Sequence, residues 1–129
     1  MKKTILIFGS LFGMLAVVFG AFGAHALEKV LNENAIATFE TAVKYQMYHA
    51  LLLLFLGSSN VFSHNTLKLL KSFLILGIVL FSGSIYLLAT NTLTSFDFKI
   101  IGFITPIGGG LLIVSWALMF YKLITTKRE

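Results

Sequence analysis

Four long uncharged stretches dominate this chain of 129 residues and restrict what it can fold into. They cover residues 4–27, 45–67, 72–90 and 100–121. An α-helix rises about 1.5 Å per residue, so each stretch is long enough to cross roughly 30 Å of hydrocarbon. The composition agrees, because 57% hydrophobic and only 12% charged residues leave too few polar side chains to cover a soluble globule. The sequence therefore predicts an integral membrane protein.

Basic residues are concentrated at three places in the chain. Seven of the ten lysines and arginines lie before the first stretch, between the second and third, and after the fourth. The other two connections carry three lysines against four acidic residues. With four spans, the three basic places share one side of the membrane, and the positive-inside rule makes that side cytoplasmic. We therefore expect both termini in the cytoplasm, anionic lipid headgroups as the contacts of the basic residues, and no nucleic-acid partner.

The predicted fold is an all-α, integral membrane four-helix bundle formed by one domain, residues 1–129. Its spans are expected at about 4–27, 43–61, 72–93 and 100–124. Between the first two spans, Ile36, Phe39 and Val43 recur at helical spacing within an otherwise polar segment. This pattern indicates an amphipathic helix on the outer side, or a water-facing extension of the second span.

The fourth span carries Thr105-Pro106 followed by three glycines at 108–110. Proline removes one backbone donor, and glycine lowers helix stability further. The sequence therefore predicts a kink or a short break at this point of the span.

The start of the chain also resembles a secretory signal peptide, because two lysines precede a long apolar run that ends in Ala24-His25-Ala26. The run is longer than the roughly 7–15 apolar residues of a signal core. It also places Gly9, Gly13 and Gly20 on one helical face, where they let a neighbouring backbone approach closely. A disposable leader does not need such a face, so we expect the first helix to be retained. Further positions expected to serve packing are Gly23, Gly83, Pro106 and Gly109.

Short motifs in all four spans resemble an uncharacterised family of small bacterial inner-membrane proteins, known as a domain of unknown function. The matching segments are Gly20-Ala21-Phe22-Gly23-Ala24-His25 with Leu27, Tyr45-Gln46 with His49, Leu80-Phe81-Ser82-Gly83-Ser84 with Tyr86, and Thr105-Pro106 with Gly108, Gly109 and Trp116. The resemblance follows the order of the chain and covers nearly all of it. It implies a four-helix protein of the bacterial inner membrane that keeps its first helix. It implies no reaction, because the family has no established one.

Several polar side chains fall in the outer half of the predicted bundle. Counted from the ends of the uncharged stretches, His25 closes the outer end of the first, and His49 lies about 6 Å inside the outer end of the second. Ionisable groups within a membrane are candidates for function, because removing them from water is costly unless they find partners. The candidate binding residues are His25, Glu40, Tyr45, His49, Tyr86 and Thr105.

Catalytic and metal-binding patterns are missing from the sequence. No serine, cysteine or aspartate forms a nucleophile motif with a histidine, and no span contains paired carboxylates. The two histidines of the outer cluster fall short of the three or four ligands that zinc requires. We therefore expect no enzyme, no metal and no cofactor.

Two functions remain open at the level of sequence. In the first, the protein is a non-catalytic membrane component that supports envelope integrity or a membrane partner, and the polar cluster ties its helices together. In the second, it is a minimal transporter or a protein that binds a small molecule or proton at an outward-facing site of histidine and tyrosine. Membrane lipids are partners in both, and the glycine face of the first helix suits either internal packing or a homo-oligomer.

Overall fold

The chain forms four long α-helices in the computed structural model, which describes residues 1–95 and 97–126, apart from the side chain of Ala24. The helices are α1 (Lys2–His25), α2 (Glu33–Ser58), α3 (His64–Ala89) and α4 (Ile104–Thr125). Short 3₁₀ helices occur at Leu27–Lys29, Asn91–Leu93 and Phe98–Ile101. No strand is present in the described part of the chain, so the predicted all-α class is confirmed.

The polar segment between the first two predicted spans does not form a helix of its own. The side chain of Asn32 accepts a hydrogen bond of 2.8 Å from the backbone N–H of Ala35 and so caps α2. From there α2 runs without interruption to Ser58. The separate amphipathic helix is thus not confirmed, and residues 33–44 form the first part of α2, as in the alternative of an extended second span.

Three helical segments are long and apolar enough to cross a membrane, counted over the described residues. They are Lys2–Lys29, His64–Ala89 and Phe98–Thr125. Helix α2 is as long as α3, but its first half carries Glu33, Glu40 and Lys44, and Gln46 and His49 follow within the next turns. Its length suffices for a span, and its composition does not by itself indicate one.

Helices α2 and α3 lie in the centre of the bundle. Helix α1 packs along α2, α2 along α3, and α3 along α4. The main core lies between the helices toward the end of the bundle formed by Met1, residues 59–63 and the last turn of α4, which we call the basic end. A smaller core of Leu27, Leu31, Phe39 and Ala89 lies toward the opposite, acidic end, formed by residues 26–32, 90–95 and 97–103.

Pro106 does not kink α4, contrary to the sequence prediction. The helix begins at Ile104, after the 3₁₀ helix Phe98–Ile101 and a turn, and then continues unbroken to Thr125. Pro106 is its third residue, and the first backbone N–H groups of a helix have no intrahelical acceptor. The missing donor of proline therefore costs no hydrogen bond, and the interruption precedes Pro106 instead of following it.

Glycines allow close approach between neighbouring helices, although not all the expected ones do. A Cβ atom at Gly108 of α4 would lie 2.3 Å from the backbone nitrogen of Phe81 in α3. On α1, a Cβ at Gly9 would meet Leu54 at 3.0 Å, and one at Gly23 would meet the ring of Phe39 at 2.9 Å. Looser contacts occur at Gly13 with 3.8 Å, Gly20 with 3.4 Å and Gly109 with 3.3 Å, while Gly83 faces open space.

Candidate functional site

Gln46 connects three helices through its side-chain amide. Its Nε2 donates a hydrogen bond of 2.8 Å to the carbonyl oxygen of Phe12 in α1. Its Oε1 accepts a hydrogen bond of 2.6 Å from the hydroxyl of Tyr86 in α3. The residue is buried, with 4% of its surface exposed. The nitrogen and the oxygen of the amide each have a protein partner, so this buried polar side chain on α2 joins α1 to α3.

His49 connects α2 to α4, one helical turn further along α2. The indole Nε1–H of Trp116 donates a hydrogen bond of 3.0 Å to His49 Nε2, and His49 Nδ1 lies 2.7 Å from the carbonyl oxygen of Tyr45. An indole N–H can only donate, so Nε2 must accept and the imidazole proton must lie on Nδ1. From there it is donated to the carbonyl of Tyr45. The two partners therefore fix the neutral ring in one tautomer.

Serine and threonine hydroxyls join α3 to both of its neighbours. Ser82 Oγ donates a hydrogen bond of 2.9 Å to the carbonyl oxygen of Ala42 in α2. On the other side, Ser84 Oγ lies 2.5 Å from Thr105 Oγ1 in the first turn of α4. Ser84 also donates toward its own helix, at 3.0 Å from the carbonyl of Phe81. The contacts between α1 and α2, between α2 and α3, and between α3 and α4 thus each include hydrogen bonds as well as apolar packing.

Aromatic rings surround the cluster formed by these hydrogen-bonded side chains. The ring of Tyr86 lies 5.0 Å, between centroids, from the rings of both Phe19 and Phe39. The rings of His49 and Trp116 meet edge to face at 6.0 Å. Among the described residues, no buried side-chain nitrogen or oxygen lacks a hydrogen-bond partner. The cluster is therefore a satisfied polar network in contact with several aromatic rings. A surrounding medium of low dielectric constant strengthens each of its hydrogen bonds.

The cluster lies near the middle of α2. At about 1.5 Å per residue, Gln46 is about 20 Å from the first residue of α2 and about 18 Å from its last. His49 is about 24 Å from the first residue and about 14 Å from the last. The sequence had placed His49 close to the outer end of the second span, because that span was counted from residue 45. Since α2 begins at residue 33, His49 lies closer to the basic end of this helix than expected.

Three of the six candidate residues lie within this network and three do not. His49, Tyr86 and Thr105 make the inter-helix hydrogen bonds described above. Tyr45 contributes its backbone carbonyl, while its exposed side chain packs against the rings of Tyr48 and Phe81. His25 is exposed at the end of α1. Glu40 is exposed on a groove of about 370 Å³, whose lining residues are Gly23, Glu28, Glu33, Ile36, Ala37 and Glu40.

Two central residues were missing from the sequence-based site. The sequence indicates Gln46 only as part of a family motif, because an uncharged amide does not stand out among ionisable groups. Trp116 was noted only for its resemblance to the family motif, because tryptophan in a span is usually attributed to the lipid interface. A buried amide in the middle of a span is itself the signal that could have found Gln46, since it needs partners on neighbouring helices.

The fold and the cluster together define a small helical membrane protein whose helices are joined by buried and partly buried hydrogen bonds. The chain belongs to the family described as "Protein of unknown function (DUF423)", which matches residues 19–109. The matched range includes Gln46, His49, Tyr86 and Thr105, and it ends before Trp116.

Similar proteins carry names that agree with this class. A "UPF0382 membrane protein" of Staphylococcus saprophyticus is 44% identical over 117 residues, which cover 91% of this chain and 93% of the relative. The "UPF0382 inner membrane protein YgdD" of Escherichia coli K12 is 37% identical over 129 residues, which cover 99% of this chain and 95% of the relative. A "UPF0382 membrane protein" of Haemophilus influenzae is 35% identical over 98% of both chains. No solved structure matches the chain.

Proposed function

We propose that this protein is a non-catalytic, multi-pass protein of the bacterial inner membrane that supports envelope integrity or a membrane partner. In this proposal the polar cluster has a structural role, namely to hold the four helices in one arrangement within lipid. The observation that carries it is the hydrogen bonding of His49 and Gln46. Each uses its polar atoms on protein partners in other helices or in its own helix.

A catalytic or transport role would make a different demand on these groups. A general base needs a free lone pair within reach of a substrate, and a proton carrier needs access to water. In His49 the lone pair of Nε2 already accepts from Trp116. The cavity of about 580 Å³, larger than the other cavities described here, is lined by residues at the basic end and not by the cluster. These features favour the structural role over an outward-facing site.

The proposal includes α2 as a fourth span and both termini in the cytoplasm. Helix α2 lies between α1 and α3, and its 26 residues extend about 39 Å, which exceeds the thickness of the hydrocarbon core. The connection from α2 to α3 consists of only five residues, so the two helices must run in opposite directions. The lysines at the basic end then indicate the cytoplasmic side.

Cysteine labelling tests this topology directly, because the chain has no cysteine of its own. We expect Ile36→Cys to react with a membrane-impermeant maleimide from the periplasmic or external side. Asn65→Cys should react only after the membrane is opened. Labelling of both from the same side would contradict the four-span arrangement.

Substitution of His49 tests the role of the cluster. We expect His49→Ala to lower the unfolding temperature of the purified protein in detergent, since inter-helix hydrogen bonds in membranes contribute about 0.6 kcal/mol each on average. His25→Ala is the matched control, because His25 is exposed and should tolerate the change. A His49→Ala protein as stable as the wild type would contradict the structural role. A proton flux that the wild-type protein supports in proteoliposomes and that His49→Ala abolishes would also contradict the structural role.

The role in the envelope is tested in cells. A strain that lacks the gene should admit more of a membrane-impermeant dye after hypo-osmotic shock than its parent strain, and the wild-type gene should reverse the effect. The His25→Ala gene should also restore low dye uptake. The His49→Ala gene should restore it only to the extent that the variant protein folds and accumulates in the membrane. Equal dye uptake by the deletion strain and its parent would contradict a role in envelope integrity.

A further inference from the structure

The basic end of the bundle contains a cavity that the polar cluster does not involve. Its volume is about 580 Å³, and it lies between the connection from α2 to α3 and the last turn of α4. The lining residues are Asn60, Val61, Phe62, Ser63, Thr66, Lys122, Leu123 and Thr126. From this cavity we infer a binding site for an anionic phospholipid, with the phosphate at Lys122 and Thr66 and an acyl chain along α4.

Lys122 provides the positive charge of this site. It is half-buried in the wall of the cavity. The acidic residues of the described chain, Glu28, Glu33, Glu40 and Asp97, belong to the connections and the first turns of α2 at the acidic end. Lys2 is also at the basic end, but its ammonium group is held by the carbonyl oxygen of Ser59, at 2.7 Å, and by the side-chain oxygen of Asn60. Lys122 therefore has no carboxylate near it among the described residues and is left to attract a phosphate.

Hydroxyl groups provide hydrogen-bond donors beside this charge. Ser63 Oγ donates to Thr66 Oγ1 over 3.1 Å and accepts from the backbone N–H of Thr66. Thr66 is buried, with 4% of its surface exposed, and it lines the cavity. The oxygen of Thr66 accepts from Ser63, and its hydroxyl hydrogen makes no hydrogen bond of its own with the described residues. A phosphate oxygen is a suitable acceptor, and hydrogen bonds to an ionised acceptor are about twice as strong as neutral ones.

The remaining surface of the site is apolar, which favours a lipid over a free phosphate ion. Val61, Phe62 and Leu123 line the same cavity as Lys122. The face of α4 continues from Leu123 to Phe120, which is 67% exposed, and Ile124, which is 66% exposed. A cationic pocket between helix ends that opens onto an apolar helix face matches both parts of an anionic phospholipid, its headgroup and its acyl chain.

Lipid binding to the purified full-length protein tests the inference. Phosphatidylglycerol added in detergent should raise the unfolding temperature of the wild type, and phosphatidylcholine should raise it less. Lys122→Ala should weaken the apparent affinity for phosphatidylglycerol about fivefold, as expected for one basic residue near an anionic lipid. Lys68→Ala is the matched control, because it removes a lysine from an exposed position of α3 at the same end, outside the cavity.

Each outcome bears on the inference. An affinity that falls only with Lys122→Ala supports the site, and a Thr66→Val protein that also loses affinity supports the assignment of the phosphate. Equal losses in the Lys122→Ala and Lys68→Ala proteins would overturn it in favour of diffuse attraction. If inorganic phosphate alone raises the unfolding temperature as much as phosphatidylglycerol does, the site binds a free anion and the inference of a lipid is overturned. If Lys122→Ala does not fold, Lys122→Gln replaces it, and unchanged affinity in that variant overturns the inference.

Discussion

Replacement of Gly108 by alanine gives a sharp prediction for the contact between α3 and α4. The new Cβ would lie 2.3 Å from the backbone nitrogen of Phe81 and 2.8 Å from the carbonyl carbon of Leu80, both parts of a rigid helix. An ordinary contact requires at least 3.4 Å. Helix α4 must therefore move away from α3 by about 1 Å. The hydrogen bonds of 2.5 Å between Ser84 and Thr105 and of 3.0 Å between Trp116 and His49 would then stretch beyond useful length.

The expected cost follows from these distances. Overpacking costs about 1–3 kcal/mol, and a contact of 2.3 Å with a backbone atom places this substitution at the upper end of that range. Alanine returns about 1 kcal/mol of helix propensity relative to glycine. We therefore expect Gly108→Ala to lower the free energy of unfolding by about 2 kcal/mol. Gly110→Ala is the matched control two residues further along α4, where a Cβ meets nothing within 4 Å. That variant should keep or raise the stability of the wild type.

Unfolding of both variants in mixed micelles with increasing sodium dodecyl sulfate, followed by the fluorescence of Trp116, measures this difference. Trp116 is the only tryptophan of the chain, so the signal reports on α4. A Gly108→Ala protein as stable as Gly110→Ala would refute the close approach of the two helix backbones.

Three further predictions concern the polar cluster and α1. Gln46→Leu should lower the free energy of unfolding by about 1–3 kcal/mol, because the Tyr86 hydroxyl and the Phe12 carbonyl lose their partner in a buried position; an unchanged midpoint in the same micelle assay would argue against the network. Tyr86→Phe should lower the free energy of unfolding by less than Gln46→Leu does. The double variant should lower it by less than the sum of the two single losses, because both residues belong to one hydrogen bond. Losses that simply add would contradict this coupling. Gly23→Ala should destabilise the protein by forcing the ring of Phe39 aside, whereas Gly13→Ala, with 3.8 Å of room, should be neutral within error in the same assay.

The helices could be predicted from sequence because long apolar stretches have few alternatives in lipid. The exact bounds could not, since they depend on local hydrogen bonds. Asn32 caps α2 and thereby adds residues 33–44 to that helix. Helix α4 begins two residues before Pro106 and continues through it, because proline in the first turn removes no hydrogen bond.

The site could be predicted only as a set of residue types. The sequence predicts His49, Tyr86 and Thr105 as candidate binding residues, and the structure shows that each makes a hydrogen bond to another helix. Which partners they find depends on the rotation of each helix about its axis, and periodicity does not fix that rotation when nearly every face is apolar. For the same reason His25 and Glu40 were grouped with the cluster although they face away from it.

The polarity of α2 has a consequence for how the protein is made. This helix contains side chains that hydrogen-bond to all three other helices, and for that reason it is not among the helices apolar enough to span a membrane by composition. Entry of an isolated segment with Lys44, Gln46 and His49 into hydrocarbon is unfavourable. If α2 spans the membrane as proposed, we expect it to enter the bilayer together with α1, whose Phe12 carbonyl accepts a hydrogen bond from Gln46, so that the first helical hairpin and not the single helix is the unit that partitions.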